Sequence, residues 1–526
     1  MRDFHLPGRS AVFADNGMCA TSNPLAALVA VDMMRSGGNA VDAAIAGATV
    51  LGLCEPVMTG IGGDMFALVK EPGSDGVVAL NGSGRAPKAL SADKLRAEGH
   101  SVMPVFHPHA VTIPGAVDGF ARLSERFGKK GLDAALQPAI HYMREGVPVS
   151  PRNAFDIALN ATELNAAAEK FYLPWGRAPK PGERFALPEQ ADVLARVAKD
   201  GSKAFYEGEV AEDMVSSLSA MGGLHTLEDF ASVDGAFEAP IEGTYKGHRL
   251  IELAPNGQGA TAILLNNILA EFDLAAMEPF GVARAHLETE AAKLAYNARD
   301  RFVADMDHVT RLDHMLDPAT GRALAELIDP KKAMADPNGL SETVHKETVY
   351  ITVVDKDRMM VSLIYSIFKD FGSGLASDKF GILFQNRGAG FNLTPGHPNE
   401  VGGGKRPMHT IIPAMLADKR GIRMPFGVMG GAYQPTGHAR VVTNMLDYGM
   451  HPQAAIDAPR TFLDQGRLRV ERGYALEVHE GLAALGHDVW VKETPVGGAQ
   501  AIWIDPETGV LQGASDPRKD GCALGY

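Results

Sequence analysis

The chain has 526 residues, of which 45% are hydrophobic and 22% are charged, and these values indicate a globular protein with a sizeable core. Its formal net charge of −14 argues against general binding to nucleic acid or to an anionic membrane surface. The 3 cysteines are too few and too scattered for a disulfide framework or a zinc site, and no run of about 18 apolar residues predicts a membrane span.

The start of the chain, MRDFHLPGRSAVFADN, has basic residues but no long apolar segment after them. This is not the pattern of a secretory signal peptide. On this ground we expect a cytoplasmic protein, or a periplasmic one if a leader has been removed from the sequence.

Two helices are predicted near the start of the chain. Asn23 and Pro24 form a typical cap and first turn for an apolar stretch that ends in glycine. Asn39 caps a second, alanine-rich helix, and because apolar residues nearly encircle it, we expect it to be buried between layers. The chain then turns through TGIGGD and enters MFALVK as a strand.

The central strand signal is ETVYITVVDKD, residues 347–357, whose side chains alternate from Thr348 onward. A polar turn and a second apolar run, MMVSLIYSIF, complete a predicted hairpin. A three-residue loop at 356–358 would place Ser366 opposite Thr348, whereas a two-residue loop would place Tyr365 there. In both registers two hydroxyls are close neighbours at a strand start. Thr348 is then either a nucleophile that needs an adjacent base or simply a good strand former.

Two further elements are predicted from local patterns. The stretch 284–305 carries Glu and Lys at helical spacing, which indicates a partly exposed helix. Near the C-terminus, AIWIDPETGVLQGA indicates a hairpin that turns through Pro-Glu-Thr-Gly. From periodicity alone the fold class is therefore α+β.

Two motifs resemble ligand sites, but neither is interpreted as one. GIGGD (60–64) lacks the Lys-Ser/Thr ending of a phosphate loop and precedes a strand, so no nucleotide is expected. His107 and His109 have no third ligand nearby in the sequence, so no metal site is predicted from them.

Long motifs follow one another along nearly the whole chain. They are SGGNAVDAAIAGATVLGLCEPVMTGIGGDMFALVK (36–70), IPGAVDGF (113–120), AFYEGEVAEDMV (204–215), GGLHTLEDF (222–230), IEGTYKGHRL (241–250), DFGSGL (370–375), GGGKRP (402–407) and GVMGGAYQP (427–435). In this order they resemble the γ-glutamyltransferase family of N-terminal nucleophile hydrolases. The resemblance implies an α+β fold, the four-layer αββα sandwich, with no metal and no organic cofactor.

The resemblance also implies self-cleavage between Glu347 and Thr348. The products would be a large segment, 1–347, and a small segment, 348–526, which together form one intertwined unit. The freed α-amino group, which titrates near pH 8, would serve the Thr348 hydroxyl as its base. Whether Glu347 assists the cut or merely precedes it stays open.

The other catalytic groups are also implied by the resemblance. Ser366 matches a hydroxyl that hydrogen-bonds the nucleophile. Gly430 and Gly431 match a glycine pair whose backbone amides stabilise the tetrahedral oxyanion. Glycine suits this position because the backbone must approach the reacting carbonyl closely. An ordinary turn is the alternative for the two glycines.

The departures from the family pattern lie where members that use glutathione bind the glutamyl head group. Ser83 stands at the position of the arginine that binds the α-carboxylate, and Phe368 replaces an asparagine. Ala389 and Gly390 replace the acidic residues that bind the α-amino group. Because a desolvated ammonium without a partner is costly, we expect glutamyl recognition to be largely rewritten.

Four residues are candidates for binding the substrate instead: Arg85, Arg387, His409 and Thr410. Arginine suits a carboxylate because its planar fork donates two parallel hydrogen bonds. His409 and Thr410 replace two adjacent serines of the family pattern. A surface salt bridge is the alternative for Arg387, and a structural contact with a neighbouring loop is the alternative for Arg85. The loop between Phe391 and Lys405 either leaves the pocket more open or is a plain surface loop.

We therefore predict an amidohydrolase that acts through an acyl-enzyme on Thr348, with some acyl transfer to amines. The expected substrate is a small anionic amide, as in relatives that hydrolyse oxamate or that are described as cephalosporin or glutaryl acylases. A true γ-glutamyltransferase or glutathione hydrolase is the alternative enzyme, and an unprocessed binding scaffold is the alternative of another class. Beyond the substrate, the expected partners are the two fragments of one precursor, with no nucleic acid and no membrane. A homo-oligomer of the two-chain unit stays open.

Overall fold

The computed structural model describes residues 8–335 and 348–526. The strands of this part of the chain are β1 Val12–Ala14, β2 Met18–Thr21, β3 Asp64–Lys70, β4 Val78–Gly82, β5 Val147–Pro148, β6 Arg184–Phe185, β7 Ala236–Glu238, β8 Ile241–Tyr245, β9 His248–Glu252, β10 Val349–Val354, β11 Met360–Ser366, β12 Ala414–Asp418, β13 Gly421–Met429, β14 Thr461–Asp464, β15 Arg467–Val470, β16 Val489–Trp490, β17 Gly498–Ile504, β18 Leu511–Ser515 and β19 Cys522–Gly525.

The α-helices lie between these strands in the chain. They are α1 Pro24–Arg35, α2 Ala40–Cys54, α3 Ala92–Ala97, α4 Ala116–Phe127, α5 Leu132–Glu145, α6 Pro151–Asn160, α7 Ala166–Tyr172, α8 Pro188–Asp200, α9 Lys203–Tyr206, α10 Glu209–Ala220, α11 Leu227–Ala231, α12 Gly259–Leu269, α13 Val282–Phe302, α14 Leu312–Leu316, α15 Pro318–Ala325, α16 Gln434–Leu446, α17 Pro452–Asp457 and α18 Leu476–Ala484.

Two antiparallel sheets of 7 strands each organise the molecule. Sheet A has the strand order β1-β18-β17-β13-β12-β9-β8, and sheet B has the order β19-β2-β10-β11-β3-β4-β7. Each sheet takes strands from 8–335 and from 348–526. The two segments therefore share both sheets.

The hydrophobic core lies in three layers between four layers of secondary structure. Helices α2 and α5 cover the outer face of sheet B, and helices α12 and α16 cover the outer face of sheet A. The third cluster fills the space between the sheets and includes Phe66, Tyr350 and Met415. This is the predicted αββα sandwich of the α+β class, and it is confirmed.

The two predicted N-terminal helices are confirmed as α1 and α2. The Asn23 side chain accepts a hydrogen bond from the amide of Leu25 at 2.9 Å, which satisfies a free donor at the start of α1. Asn39 and Asp42 form a reciprocal capping box on α2. All residues of α2 are buried, as the apolar residues around its whole circumference predict.

The helix predicted at 284–305 is confirmed as α13, but more of its side chains are buried than the sequence predicted. Most side chains of α13 are buried. Arg284 Nε lies 2.8 Å from Glu288 Oε1, and Arg440 on α16 contacts the same carboxylate. Charge spacing along one helix reveals the local pair, but it cannot reveal that a second helix covers it. The predicted C-terminal hairpin is confirmed as β17 and β18, which pair antiparallel.

Close packing between the sheets leads to a stability prediction at Gly427 in β13. A Cβ atom at this position would lie 2.3 Å from Cε2 of the buried Tyr350, whose hydroxyl is held by Ser362 Oγ at 2.6 Å. We expect Gly427→Ala to lower the free energy of unfolding by about 1–3 kcal/mol, since overpacking a core forces its neighbours to shift. Urea denaturation measures this. The exposed Gly76→Ala, whose Cβ would meet nothing closer than 3.5 Å, is the control, and equal midpoints for both variants would contradict the described packing.

Candidate active site

The two predicted hydroxyls lie side by side in the middle of sheet B. Val349 pairs with Tyr365, and the same register sets Thr348 opposite Ser366, as the three-residue loop predicts. Thr348 Oγ1 donates to Ser366 Oγ at 3.3 Å, and Ser366 Oγ accepts from the amide of Phe368 at 2.8 Å. Glu347 lies outside the described residues, so the predicted cleavage bond is described only from its Thr348 side.

Arg387 lies beside this hydroxyl pair. Its Nη2 is 3.5 Å from Ser366 Oγ, and its Nη1 donates to Thr410 Oγ1 at 2.9 Å. The guanidinium Cζ lies 3.9 Å from the centre of the Phe368 ring, a cation–π geometry. Phe368 has a φ of 81°, which is uncommon for a residue with a side chain.

The guanidinium of Arg387 is fully buried. Burial lowers its pKa to about 9, against the opposing effect of the Asp64 carboxylate, so it stays protonated at neutral pH. Among the described residues, Arg387 takes part in no ion pair of 4.0 Å or less, and its Nε has no hydrogen-bond partner. This arrangement differs from the surface salt bridge that was the alternative for Arg387.

His409 pairs with an acidic residue that the sequence did not single out. His409 Nε2 lies 3.1 Å from Oδ2 of Asp64, and both side chains are fully buried. Asp64 Oδ1 accepts three further hydrogen bonds, from Gln385 Nε2 at 2.8 Å and from the amides of Gly84 and Gly115. Burial raises the pKa of Asp64 to about 6, although Arg387 and these hydrogen bonds lower it.

Asp64 belongs to the same row of the sheet as the hydroxyls. It is the first residue of β3, and it pairs with Ser366 at the end of β11. Thr348, Ser366 and Asp64 thus occupy neighbouring positions on three adjacent strands. The signal for Asp64 was present in the sequence as the last letter of TGIGGD, an acidic residue between a glycine turn and a buried strand.

Gly430 and Gly431 follow the end of β13, with φ values of 119° and 55°. Both values favour glycine, which has no Cβ to clash in this region. Gln258 Nε2 donates to the carbonyls of Gly431 at 2.9 Å and of Thr410 at 2.6 Å, which ties this turn to the residue that contacts Arg387. Gly430 also lines an open cleft of about 610 Å³. The oxyanion role of the two glycines stays a prediction.

Arg85 is not brought into this group. Its Nε lies 3.1 Å from Asp234 Oδ1, and its Nη1 lies 3.5 Å from Asp305 Oδ2. It also donates to the carbonyl of Gly404 at 3.1 Å, and it lines a separate cavity of about 60 Å³. These contacts correspond to the structural alternative for Arg85, so its substrate role remains a prediction without a geometric link to Thr348.

The loop after Phe391 is anchored along its length. Arg96 Nη1 donates to the carbonyl of Leu393 at 2.7 Å and lies 2.9 Å from Glu400 Oε1. His397 Nε2 lies 2.9 Å from the carbonyl of Asp300. The effect of this loop on pocket access stays a prediction.

One buried trio within the described residues brings metal-ligating atoms within 4.8 Å of one another: His286, Glu290 and His487. His286 Nδ1 and His487 Nε2 are 2.8 Å apart and form a hydrogen bond. Glu290 Oε1 accepts from Lys293 Nζ at 2.8 Å, so a cation already balances its charge. The trio is satisfied by its own contacts and gives no support for a metal ion. None of the described helices combines the length and the apolar character of a membrane span.

Comparison with known proteins decides the family. The sequence pattern of the Gamma-glutamyltranspeptidase family matches residues 26–526. The chain belongs to the γ-glutamyltranspeptidase family. Within it, the chain is 35% identical over 528 residues to the glutathione hydrolase-like YwrD proenzyme of Bacillus subtilis, covering 98% of this chain and 99% of that protein.

Two further relatives extend the comparison. The chain is 33% identical over 535 residues to the oxamate amidohydrolase proenzyme of Klebsiella pneumoniae, covering 98% of this chain and 100% of that protein. The crystal structure of a cephalosporin acylase from Bacillus halodurans is similar with a TM-score of 0.93 and 37% identity, covering 100% of this chain and 99% of that one. The predicted family, its fold and the assignment to amide-hydrolysing enzymes are confirmed.

Proposed function

We propose that this γ-glutamyltranspeptidase-family enzyme cuts itself before Thr348 and hydrolyses a small carboxylate-bearing amide through an acyl-enzyme on Thr348. Residues 1–347 and 348–526 would be its large and small parts. The proenzyme relatives support the processing, and the two sheets shared by both segments explain how the parts would stay together after cleavage.

The reaction follows from the groups around Thr348. The freed α-amino group takes the proton of the Thr348 hydroxyl, and the oxygen attacks the amide carbon. The amides of Gly430 and Gly431 receive the negative charge of the tetrahedral intermediate. The ammonium then returns its proton to the leaving nitrogen, and water hydrolyses the ester by the same route. Ser366 orients the Thr348 hydroxyl through their hydrogen bond.

The observation that carries the substrate class is the position of Arg387. Among the described residues, no carboxylate lies within ion-pairing distance of this buried guanidinium, which is one hydroxyl away from the nucleophile. Such a group binds a planar carboxylate strongly because both are desolvated and their geometries match. Ala389 and Gly390 supply no carboxylate for an α-ammonium. An acyl group with a carboxylate but without an α-amino group therefore fits this site.

A γ-glutamyl substrate is the second candidate, since one of the similar proteins is named glutathione hydrolase-like. In that case the α-carboxylate of the glutamyl group would bind Arg387. Its ammonium would need an acceptor other than residues 389 and 390.

A panel of amides tests the proposal on protein shown by mass to be fully cleaved. We expect oxamate, succinamate or glutaramate to be hydrolysed with a kcat/KM at least about 10²-fold above that of a neutral amide of equal length, the scale of one buried charge-assisted contact. Ammonia release measures turnover. Faster release of p-nitroaniline from γ-glutamyl-p-nitroanilide, or faster cleavage of glutathione, would favour the second candidate. Cleaved protein that turns over none of these compounds would contradict both.

A further inference from the structure

Asp64 is a buried carboxylate beside Ser366 and His409 that the proposed mechanism does not use. It is fully buried and accepts hydrogen bonds from the backbone amides of Gly84 and Gly115. It also accepts from the side chains of Gln385 and His409. A carboxylate bound by four donors is rigidly placed. Asp64 pairs with Ser366 across β3 and β11, so it is a neighbour of the residue whose hydroxyl contacts Thr348.

The charge of Asp64 influences Arg387 although the two side chains form no ion pair. The carboxylate favours the protonated guanidinium, yet the two groups form no ion pair at 4.0 Å or less. Arg387 instead directs its nitrogens at two neutral hydroxyls, those of Thr410 and Ser366. Asp64 therefore balances the charge of Arg387 from a distance.

The proposed reaction changes the charge of what the pocket holds. Hydrolysis adds water across the C–N bond of an amide that carries one carboxylate, and it releases ammonia or an amine and a second carboxylate. The substrate is a monoanion, and the acid product is a dianion. A pocket with an uncompensated arginine would hold the product more tightly than the substrate.

We propose that Asp64 is a specificity-determining residue that sets the pocket for a single anion, so that it admits the monoanionic amide and expels the dianionic product. This inference rests on the proposed function. Asp64 forms no hydrogen bond or ion pair with Thr348 or with Arg387 among the described contacts, and it acts by its charge and by positioning His409.

The first test measures product inhibition of the cleaved enzyme. The probe is the diacid of the fastest amide in the panel, which is oxalate, succinate or glutarate. In Asp64→Asn we expect the inhibition constant of the diacid to fall at least about tenfold, because a repelling charge has been removed in a medium of low dielectric. The KM of the monoanionic amide should fall less, and the KM of the neutral amide should not change.

Two matched variants complete this test. Asp64→Glu keeps the charge and should keep the diacid affinity within about threefold of the native value. Asp118→Asn alters a buried carboxylate that pairs with Arg122 and accepts a hydrogen bond from the amide of Gly235. It should leave the diacid inhibition constant and both KM values unchanged. An unchanged diacid constant in Asp64→Asn, or an equal shift for diacid and neutral amide, would overturn the inference.

A measurement on the native enzyme keeps the inference testable if Asp64→Asn does not fold. Since burial raises the pKa of Asp64 to about 6, lowering the pH through this value should neutralise it and tighten diacid binding, after correction for ionisation of the diacid. Among the described residues, the other groups that act on Asp64 are Arg387, which stays charged, and His409, whose Nε2 lies 3.1 Å from Asp64 Oδ2. Tyr206 is also near, and Asp64 raises its pKa further. An ordinary α-amino group titrates higher, near pH 8.

The pH profile separates the inference from the proposed function. Diacid affinity that stays flat between pH 7.5 and about 5.5 would overturn the role of Asp64 while leaving carboxylate hydrolysis intact. If the cleaved enzyme hydrolyses no carboxylated amide at all, the proposed function itself has failed.

Discussion

A Thr348→Ala variant is expected to remain a single full-length chain and to lose at least about 10³-fold in amide hydrolysis, the order of loss when a covalent nucleophile is removed. The native protein should separate into fragments that begin at Met1 and Thr348. The reason is that one hydroxyl serves both steps: it attacks the preceding carbonyl in the precursor and the substrate carbonyl in the cleaved enzyme. Intact mass and ammonia release measure the two effects on the same samples.

Two variants make this result specific to the hydroxyl. Thr348→Ser keeps a nucleophile and should still cleave, more slowly. Thr352→Val removes a buried hydroxyl from the same strand, where it donates to the carbonyl of Val361 at 3.1 Å, and it should cleave normally. A native protein that stays full-length after long incubation would refute the proposed mechanism, and the binding scaffold would become the leading interpretation.

Replacing Arg387 by glutamine is expected to raise the KM of carboxylated amides about 10²-fold, which corresponds to roughly 3 kcal/mol for a desolvated charge contact. Neutral amides of equal length should change little. Arg387→Lys should recover only part of the loss because an ammonium lacks the planar fork. Steady-state kinetics on cleaved protein give the KM values.

Arg85→Gln is the matched control, because this arginine is bound by Asp234 and Asp305 instead of lying beside Thr348. It should leave the ratio of carboxylated to neutral turnover unchanged. If Arg85→Gln abolishes the preference for carboxylated amides and Arg387→Gln does not, the roles assigned to the two arginines are wrong. Circular dichroism of each variant shows whether the fold is retained.

Local pattern was sufficient for many individual elements. The caps at Asn23 and Asn39, the alternation from Thr348 and the C-terminal hairpin each depend on neighbours within a few residues, and the structure confirms them. The register that sets Thr348 beside Ser366 was left with two alternatives, since a loop length cannot be read from residue types alone. Backbone pairing in the sheet selects the three-residue loop.

Contacts between distant segments could not be predicted in the same way. Glu288 on α13 is contacted by Arg440, which lies far along the chain on α16. The separation of Arg85 from the site depends on two acidic residues that surround it. In the sequence, Asp64 is the last residue of a glycine-rich turn. In the fold, sheet B places it beside Ser366 and within hydrogen-bonding distance of His409.

The family, the fold class and the hydroxyl pair could be predicted from the residues alone, because these follow from local periodicity and from long motifs in a recognisable order. Which charged groups lie beside Thr348 could be seen only after folding had brought distant segments together. Electrostatic partners act through space and are set by burial, so Arg387, His409 and Asp64, which are far apart in the chain, form one cluster only when sheet B and the loops at its edge bring them together.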